Sequence, residues 1–230
     1  MNILSSDPSI FEVNNPYPET YQLNDHAQIL IFDDFLKKPD EYKNFLSGIP
    51  AFKSDFFYPT ASPGWRQIVT YEYFQQIEGV LSNYTGSREW VQQSFTNIYK
   101  SQMPCNSKSW YPHHDSMNFT FNLWLSDGPG GTAFYTWNGH YSGETLTEIQ
   151  KDRIFVNQIP GEFLYEEFSG DGQWKQYHLE PIKYNRAIFY NGNDFHSAYV
   201  PNESFLNDWR YSLVLMGGLT HHPSYSSIPM

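Results

Sequence analysis

The sharpest hydrophobic pattern in the chain is a two-residue alternation over 119–125. Phe119, Phe121, Leu123 and Leu125 fall on one side of an extended strand, and Thr120, Asn122 and Trp124 on the other. Successive side chains of a strand point to opposite faces, so this segment is expected to lie between two different surroundings. Gly128-Pro129-Gly130-Gly131 supplies turn chemistry, and a strand over 132–137 follows it. Further strands are expected over 155–159, 161–168, 174–181, 187–190, 198–200 and 210–216. Short strands recurring about every 8–12 residues, with turn residues between them, indicate an all-β sandwich or barrel.

Upstream of Phe95 the pattern differs. Residues 1–26 are polar and contain Pro16 and Pro18, which reads as an extended arm over the surface. Gln28-Ile29-Leu30-Ile31-Phe32 is a short apolar run and predicts a strand. Pro39-Asp40-Glu41 opens a helix reaching about Ser47, since proline fits the first turn and acids suit the positive helix end. Residues 50–66 mix prolines and glycines with aromatics and predict an ordered loop, with helices following near 71–82 and 87–94. No repeat, low-complexity tract or linker divides the chain. The expected fold is mainly β with N-terminal helices: a helical N-terminal part packed on a sandwich or jelly roll.

Composition narrows the function. The 18 Phe, 18 Tyr and 7 Trp among 230 residues exclude a disordered chain, which would be poor in such residues. No run approaches the roughly 18 apolar residues of a membrane span. The first residues, Met1 to Asp7, lack a basic start followed by an apolar stretch, so a soluble, cytoplasmic protein is the expectation. A single cysteine, Cys105, rules out a disulfide framework within the chain and a thiolate cluster for zinc. A net charge of −11 argues against nucleic acid as a partner, because phosphate-backbone affinity needs clustered Lys and Arg.

The candidate chemistry centres on His113-His114-Asp115. On a strand, His113 and Asp115 project to one face and together offer an imidazole nitrogen and a carboxylate oxygen. A second imidazole would complete a two-His-one-carboxylate face for Fe(II), with positions left open for a cosubstrate and oxygen. His196 is the best candidate: it follows an apolar strand over 187–190 and a polar turn, Asn191-Gly192-Asn193-Asp194. Fourteen residues on, Arg210 and Ser212 share a strand face, where a guanidinium and a hydroxyl can grip a carboxylate.

These segments together resemble the Fe(II)- and 2-oxoglutarate-dependent dioxygenases, most of all their prolyl-4-hydroxylase-like branch. Trp110-Tyr111-Pro112-His113-His114-Asp115-Ser116 is similar to that branch's Tyr-x-Pro-His-x-Asp segment, and 123–134 to its strand, loop and Gly-Gly-acid-x-Phe stretch. Phe189 to Pro201 resembles the segment carrying the distal histidine, and 29–36 the strand that opens such catalytic domains. The resemblance spans roughly 28–217. It implies a double-stranded β-helix (jelly roll), with 1–27 an arm, 28–94 the helical part and 95–217 the jelly-roll core of one catalytic domain, and 218–230 a tail. It also implies Fe(II) on His113, Asp115 and His196, with 2-oxoglutarate as cosubstrate, O2 as oxidant and possible help from ascorbate. Arg210, assisted by Ser212, would pair with the distal carboxylate of 2-oxoglutarate; Tyr99 would donate to the same carboxylate and Asn122 would reach the keto-acid end. The implied activity is hydroxylation of an unactivated C–H bond in an amino-acid side chain, prolyl among them and free or in a peptide, or in a small metabolite. Asp115 argues against halogenation, where the family carries a small residue at that position.

The chain departs from the branch in three places. Arg210 stands where the branch often has lysine, the stretch from His196 to Arg210 is a few residues longer than usual, and Thr132 occupies the acid position of Gly-Gly-acid. His178-Leu179-Glu180 has the same His-x-acid form, but it lies only 18 residues before His196, too close for the strands that separate the two family motifs, so His178 is read as a strand residue. His114, which alternates away from the metal face, would line the pocket or face solvent, and His221 and His222 belong to a surface segment. Trp65, Trp110, Trp124, Trp137 and Tyr199 would pack the core and rim or wall the substrate. Two other readings stay open: a cupin-like metal enzyme that does not use 2-oxoglutarate, and a non-catalytic jelly-roll binding module.

Overall fold

The computed structural model describes residues 7–25, 27–53, 65–68, 71–85, 93–99, 112–115, 118–147, 174–199 and 209–217. The elements in chain order are β1 (Glu19–Asn24), β2 (Ala27–Phe32), α1 (Pro39–Ser47), β3 (Phe52–Lys53), β4 (Trp65–Ile68), α2 (Tyr71–Thr85), β5 (Gln93–Tyr99), β6 (Phe119–Trp124), β7 (Gly131–Trp137), β8 (Trp174–Pro181), β9 (Arg186–Asn191), β10 (His196–Tyr199) and β11 (Arg210–Gly217). Eight strands form one sheet in the order β1-β2-β9-β6-β11-β5-β4-β3, and three form a second in the order β10-β7-β8. Every strand pairing is antiparallel. The protein is thus mainly β with two α-helices among the described residues.

Alternation along the central strands sorts their side chains into two layers. Phe119, Phe121 and Leu123 of β6, Ala187 and Phe189 of β9, and Tyr211, Leu213 and Leu215 of β11 face Tyr42 and Leu46 of α1 and Ile77, Val80 and Leu81 of α2. Trp124, Ile188 and Tyr190 point the other way, toward Phe134 of the small sheet. Both faces of β6 are buried, so even its polar positions lie inside the protein. The outer face of the small sheet carries a third cluster, Ala133, Tyr135, Trp137, Trp174 and Phe195. The chain passes from one sheet to the other between β6 and β7, between β8 and β9, between β9 and β10, and between β10 and β11. His113 adds to the small sheet through an isolated bridge to His196.

Several expectations need correction. The helix expected near 87–94 gives way at its end to β5, because Gln93–Tyr99 is tied into the large sheet between β11 and β4; residues 87–92 lie outside the described residues. The N-terminal third is less helical than its composition indicates, since β1 to β4 all join the large sheet. The polar segment expected to be an arm includes β1, an exposed edge strand in register with β2 from Glu19↔Ile31 to Asn24↔Ala27. The loop expected over 50–66 ends in β4, which begins at Trp65. α1 matches its expected start, with Pro39 in the first turn and Asp40 and Glu41 behind it. Its C-terminal carbonyls are met by the buried Gln67 side chain, whose Nε2 donates to Leu46 O at 2.7 Å and Ile49 O at 2.6 Å. The strands expected over 155–159 and 161–168, Cys105, Trp110, His221, His222 and the 218–230 tail lie outside the described residues. No helix among the described residues is long and apolar enough to cross a membrane.

The turn at 128–131 explains its glycines. Gly128 (φ 135°) and Gly130 (φ 110°) occupy backbone conformations that side-chain-bearing residues rarely adopt. Gly131 has a different reason: a Cβ there would stand 1.9 Å from the Glu180 carbonyl oxygen of the paired strand. Close approach of β7 to β8 requires that hydrogen.

Candidate metal centre

His113 and His196 sit opposite each other in a closely spaced antiparallel pair. The His113 N–H donates to His196 O at 2.9 Å and the His196 N–H to His113 O at 2.8 Å. Such a pair sets two side chains on one face, and their ring centroids stand 4.7 Å apart. Asp115 is held by its own backbone, which donates to Gly192 O at 2.7 Å, just before the turn that leads to His196. The spacing His-x-Asp then brings its carboxylate to the same side.

The result is a compact donor set. Asp115 Oδ1 lies 3.7 Å from His113 Nε2, and Asp115 Oδ2 lies 3.4 Å from His196 Nε2. One ligand atom from each residue falls within 4.8 Å of the others, and no other group of this kind occurs among the described residues. Ligand atoms in neighbouring positions around one metal, each about 2.1 Å from it, stand roughly 3 Å apart. Seating an ion would draw the 3.7 and 3.4 Å separations, and that between the two histidine nitrogens, toward this value. Two nitrogens and one oxygen on one side suit a divalent transition metal. Asp115 and His196 are buried, whereas 29% of the His113 side chain is exposed, so the group opens on the His113 side.

Electrostatics and hydrogen bonds orient each donor. Burial alone pushes the Asp115 carboxyl up, but the imidazoles of His196 and His113 and the Thr120 hydroxyl outweigh it and hold the group at about 2. The same attraction overcomes the burial of His196 and raises its imidazole above the ordinary histidine value. His196 Nδ1 faces the Asp194 carbonyl oxygen at 2.7 Å. A carbonyl only accepts, so Nδ1 carries a proton and Nε2 is the nitrogen turned toward Asp115 and available to a metal. Thr120 Oγ1 donates to Asp115 Oδ2. The Asp194 carboxyl itself is raised to about 7, chiefly by burial.

The remaining sequence-derived residues surround this group unequally. Arg210 and Ser212 are buried on β11. Their neighbours Tyr211 and Leu213 join the helix-side core, so alternation turns both toward the face that carries Trp124 and Tyr190. Ser212 stands opposite Trp124 in the β11–β6 pairing. Tyr99 stands opposite Arg210 at the end of β5, a backbone register only. Asn122 is buried on the same face of β6, with Nδ2 3.1 Å from Tyr190 OH and 3.5 Å from Thr132 Oγ1. His114 turns off the metal face: its Nδ1 lies 3.1 Å from Asp115 O, its ring packs edge-on against Phe195, and a Cβ on Gly143 would collide with it. His178 pairs with Glu180 at 3.4 Å and stacks near Tyr21, apart from the donor set. Trp124 and Trp137 are core residues.

Sequence reasoning passed over Thr120, Tyr190 and Asp194. Thr120 shares the mixed face of the 119–125 alternation with Asn122, which was the available signal. Tyr190 follows three apolar residues and carries no local signal of its own; its ring meets His196 of β10 at 4.9 Å, and its strand pairs with β6.

Among solved structures, the chain is similar to the non-heme alpha ketoglutarate dependent epimerase SnoN from nogalamycin biosynthesis, with TM-score 0.49 and 14% identity over 82% of this chain and 78% of that one. It is also similar to a prolyl hydroxylase of Trichoplax adhaerens in complex with a hypoxia inducible factor oxygen degradation domain peptide fragment, with TM-score 0.43 and 11% identity over 83% of each chain. AviO1 from Streptomyces viridochromogenes Tue57 gives TM-score 0.41 and 12% identity over 79% of this chain and 76% of that one. No curated protein sequence matches. Residues 14–210 match one sequence family throughout, and the chain belongs to it: the family of unknown function DUF6445.

Proposed function

We propose that this protein is an Fe(II)- and 2-oxoglutarate-dependent oxygenase with a jelly-roll core, of the prolyl-4-hydroxylase-like branch. The observation that carries the reading is the convergence of His113, Asp115 and His196 within 4.8 Å of one another, with Arg210 and Ser212 buried on β11 of the large sheet. The alternation of strands between two antiparallel sheets supports a double-stranded β-helix, and the ordered motifs from Tyr111 to Arg210 support the branch.

In this reading His113, Asp115 and His196 hold Fe(II), and bound iron with 2-oxoglutarate and O2 supplies the oxidising power for hydroxylating an unactivated C–H bond. The chain's own residues do the positioning. His196 is fixed by its Nδ1 bond to the Asp194 carbonyl, and Asp115 by Thr120. Arg210 offers a guanidinium to the distal carboxylate of 2-oxoglutarate, with the Ser212 hydroxyl two residues on along the same face; Tyr99 and Asn122 are proposed as further contacts to the cosubstrate. Trp124, Phe134 and Ile188 wall the space between the sheets and exclude water. The substrate we propose is an amino-acid side chain, prolyl among them, or a small metabolite, approaching from the exposed His113 side. The acidic surface disfavours nucleic acid.

Anaerobic difference spectroscopy with Fe(II) and 2-oxoglutarate tests the reading. The expected result is a visible charge-transfer band in the wild type that is missing from His196→Ala. No band in the wild type would sink it. Retention of the band in Arg210→Met, with unchanged 2-oxoglutarate affinity, would instead remove Arg210 from the cosubstrate site.

A further inference from the structure

Alternation on the small sheet picks out a second polar layer beside the metal donors. Tyr135 and Trp137 of β7, and Phe195 just before β10, belong to the outer cluster. The positions between and beside them, Thr136, Asp194 and His196, therefore turn inward. His196 stands opposite Phe134, and the Tyr135 N–H donates to Phe195 O at 2.9 Å, so the register carries Asp194 to the level of Thr136. Tyr177 of β8 packs into the inner cluster with Phe134 and Tyr190. Its ring meets Tyr141 edge-on at 5.2 Å, and the Tyr141 carbonyl accepts the Phe195 N–H at 2.9 Å, which ties that ring beside Asp194. Two residues of a strand span about 7 Å, so this layer lies one side-chain row from His196.

These polar groups are buried without being satisfied. Asp194 is 4% exposed and Thr136 9%. The Asp194 main-chain carbonyl accepts from His196 Nδ1 at 2.7 Å, but its carboxylate makes no hydrogen bond or ion pair with any described residue, and neither does the Thr136 hydroxyl. The Tyr177 hydroxyl is buried beside the Asn24 amide without a hydrogen bond of normal geometry. A carboxylate in such a place is costly unless a donor or a cation meets it. The charged groups that act on it are the His196 imidazole and the Glu144 carboxylate, and among the described residues no lysine or arginine does. A carboxylate flanked by two phenol rings suits a cation: the oxygens take charge-assisted hydrogen bonds and the ring faces attract an ammonium. Tyr141 and Tyr177 are only half-buried, so the layer is reached from their side.

We propose that Asp194, with Thr136 and Tyr177 beside it, is a substrate subsite that receives a cationic, hydrogen-bond-donating group, so that the substrate is an amine. The inference rests on the oxygenase reading above and narrows its substrate class to the amine-bearing members: a basic amino-acid side chain or a free amine. In this arrangement the anchored ammonium lies one side-chain row from the metal, and the C–H bond to be oxidised lies a few carbon atoms from the nitrogen.

The test is anaerobic calorimetry on the whole chain, with and without Co(II) and 2-oxoglutarate, for the wild type, Asp194→Asn and Thr136→Val. The probes are 1,4-diaminobutane and N-acetyl-L-lysinamide, with 1,4-butanediol as the neutral match and N-acetyl-L-prolinamide as the rival side chain. At least one amine is expected to bind the wild type about 10-fold or more tighter than both uncharged probes. Asp194→Asn keeps the shape and is expected to weaken that amine about 10–100-fold, and Thr136→Val about 2–10-fold. Co(II) affinity, read by visible absorbance, is expected to stay within about 3-fold in both, because the His196 contact uses the Asp194 main chain. Amines that bind no tighter than the uncharged probes overturn the subsite, and so does an amine held within about 2-fold by Asp194→Asn. Loss of Co(II) and amine affinity in step would mean that Asp194 acts on His196, and overturns it too. Where Asp194→Asn does not fold, the comparison of amine with diol in the wild type decides alone. Failure of the metal reading shows separately, as Co(II) bound no better by the wild type than by His113→Ala; amine binding to the metal-free protein then still decides the subsite.

Discussion

Asn185 offers a measurement of how the N-terminal segment is riveted to the sheet. It lies between β8 and β9 with φ 59°, a left-handed conformation that asparagine tolerates better than most residues. Its Oδ1 accepts from the Leu36 N–H at 2.9 Å and its Nδ2 donates to Leu36 O at 2.9 Å, both buried. Its backbone accepts from the Phe35 N–H at 2.9 Å and donates to Trp124 O at 2.8 Å. Asn185→Gly keeps the backbone conformation and strands two buried groups of Leu36, each costing about 1–2 kcal/mol, so a loss of about 2–4 kcal/mol is expected. Asn185→Ala loses the same two bonds and adds left-handed strain of about 1 kcal/mol, giving about 3–5 kcal/mol. Urea denaturation at neutral pH, analysed as a two-state transition, measures both. The ordering is the sharper part of the prediction, because glycine normally destabilises relative to alanine. Asn185→Gly within about 0.5 kcal/mol of wild type, or Asn185→Ala more stable than Asn185→Gly, would refute the reasoning.

Three further outcomes follow from the structure. If Arg210 grips 2-oxoglutarate as proposed, Arg210→Met is expected to weaken its binding by about 100-fold or more, while Co(II) affinity stays within about 3-fold; calorimetry and absorbance read the two separately. Asp33 sits on Arg186 Nε at 2.6 Å and Nη2 at 3.0 Å and on Lys183 at 2.7 Å. The Arg186 fork, joined by Lys183, outweighs partial burial and holds its carboxyl at about 2, below the ordinary 3.8. A lowered folded-state value means stability present above about pH 4 and lost as pH falls toward 2. Asp33→Asn should therefore cost about 1 kcal/mol at pH 7, after discounting for solvent at this half-exposed site, and almost nothing near pH 2, as seen in thermal melts across that range. Gly131→Ala drives a methyl into the Glu180 carbonyl and must part β7 from β8, with an expected loss of about 3 kcal/mol or insoluble protein; a melting temperature within about 2 °C of wild type would contradict it.

What the sequence made legible was whatever depends on near neighbours. The 119–125 alternation survives intact in β6, β8 coincides with the expected 174–181, and Pro39 starts α1. His113, Asp115 and His196 could be singled out because two lie within one strand repeat and the third follows a polar turn. What stayed hidden depends on partners far along the chain. β1 is polar at most positions because it lies exposed at a sheet edge, so it lacks a buried strand's apolar signature and is a strand only through its hairpin with β2. Gln93 and Ser94 look as fit for a helix end as for a strand, and their pairing with Met216 and Leu215, more than 120 residues away, decides the matter. Thr120 meets Asp115, and Tyr190 meets His196, only through the packing of strands that lie far apart in the chain.

The two faces of β6 also separate stability from site chemistry in a way that single substitutions can expose. Phe121 and Leu123 point into the helix-side core, while Thr120 and Asn122, alternate positions on the same backbone, reach Asp115 and Tyr190. Truncating Phe121 removes packing worth about 3–5 kcal/mol, yet moves no ligand directly. Removing the Thr120 hydroxyl takes away one hydrogen bond, a small part of total stability, but it is the bond to the Asp115 carboxylate, a ligand in the proposed function. Burial alone ranks these residues alike, since every position of β6 is inside. Parity along the strand distinguishes them, and it does so because a sheet with a packed core on each side makes one strand serve two environments at once. The same parity holds on β11, where Arg210 and Ser212 alternate with Tyr211 and Leu213, and on β9, where Tyr190 alternates with Phe189. The polar residues that these three neighbouring strands turn to one face inherit their spacing from the sheet register. That is why polar groups can be held so close together inside an otherwise apolar interior.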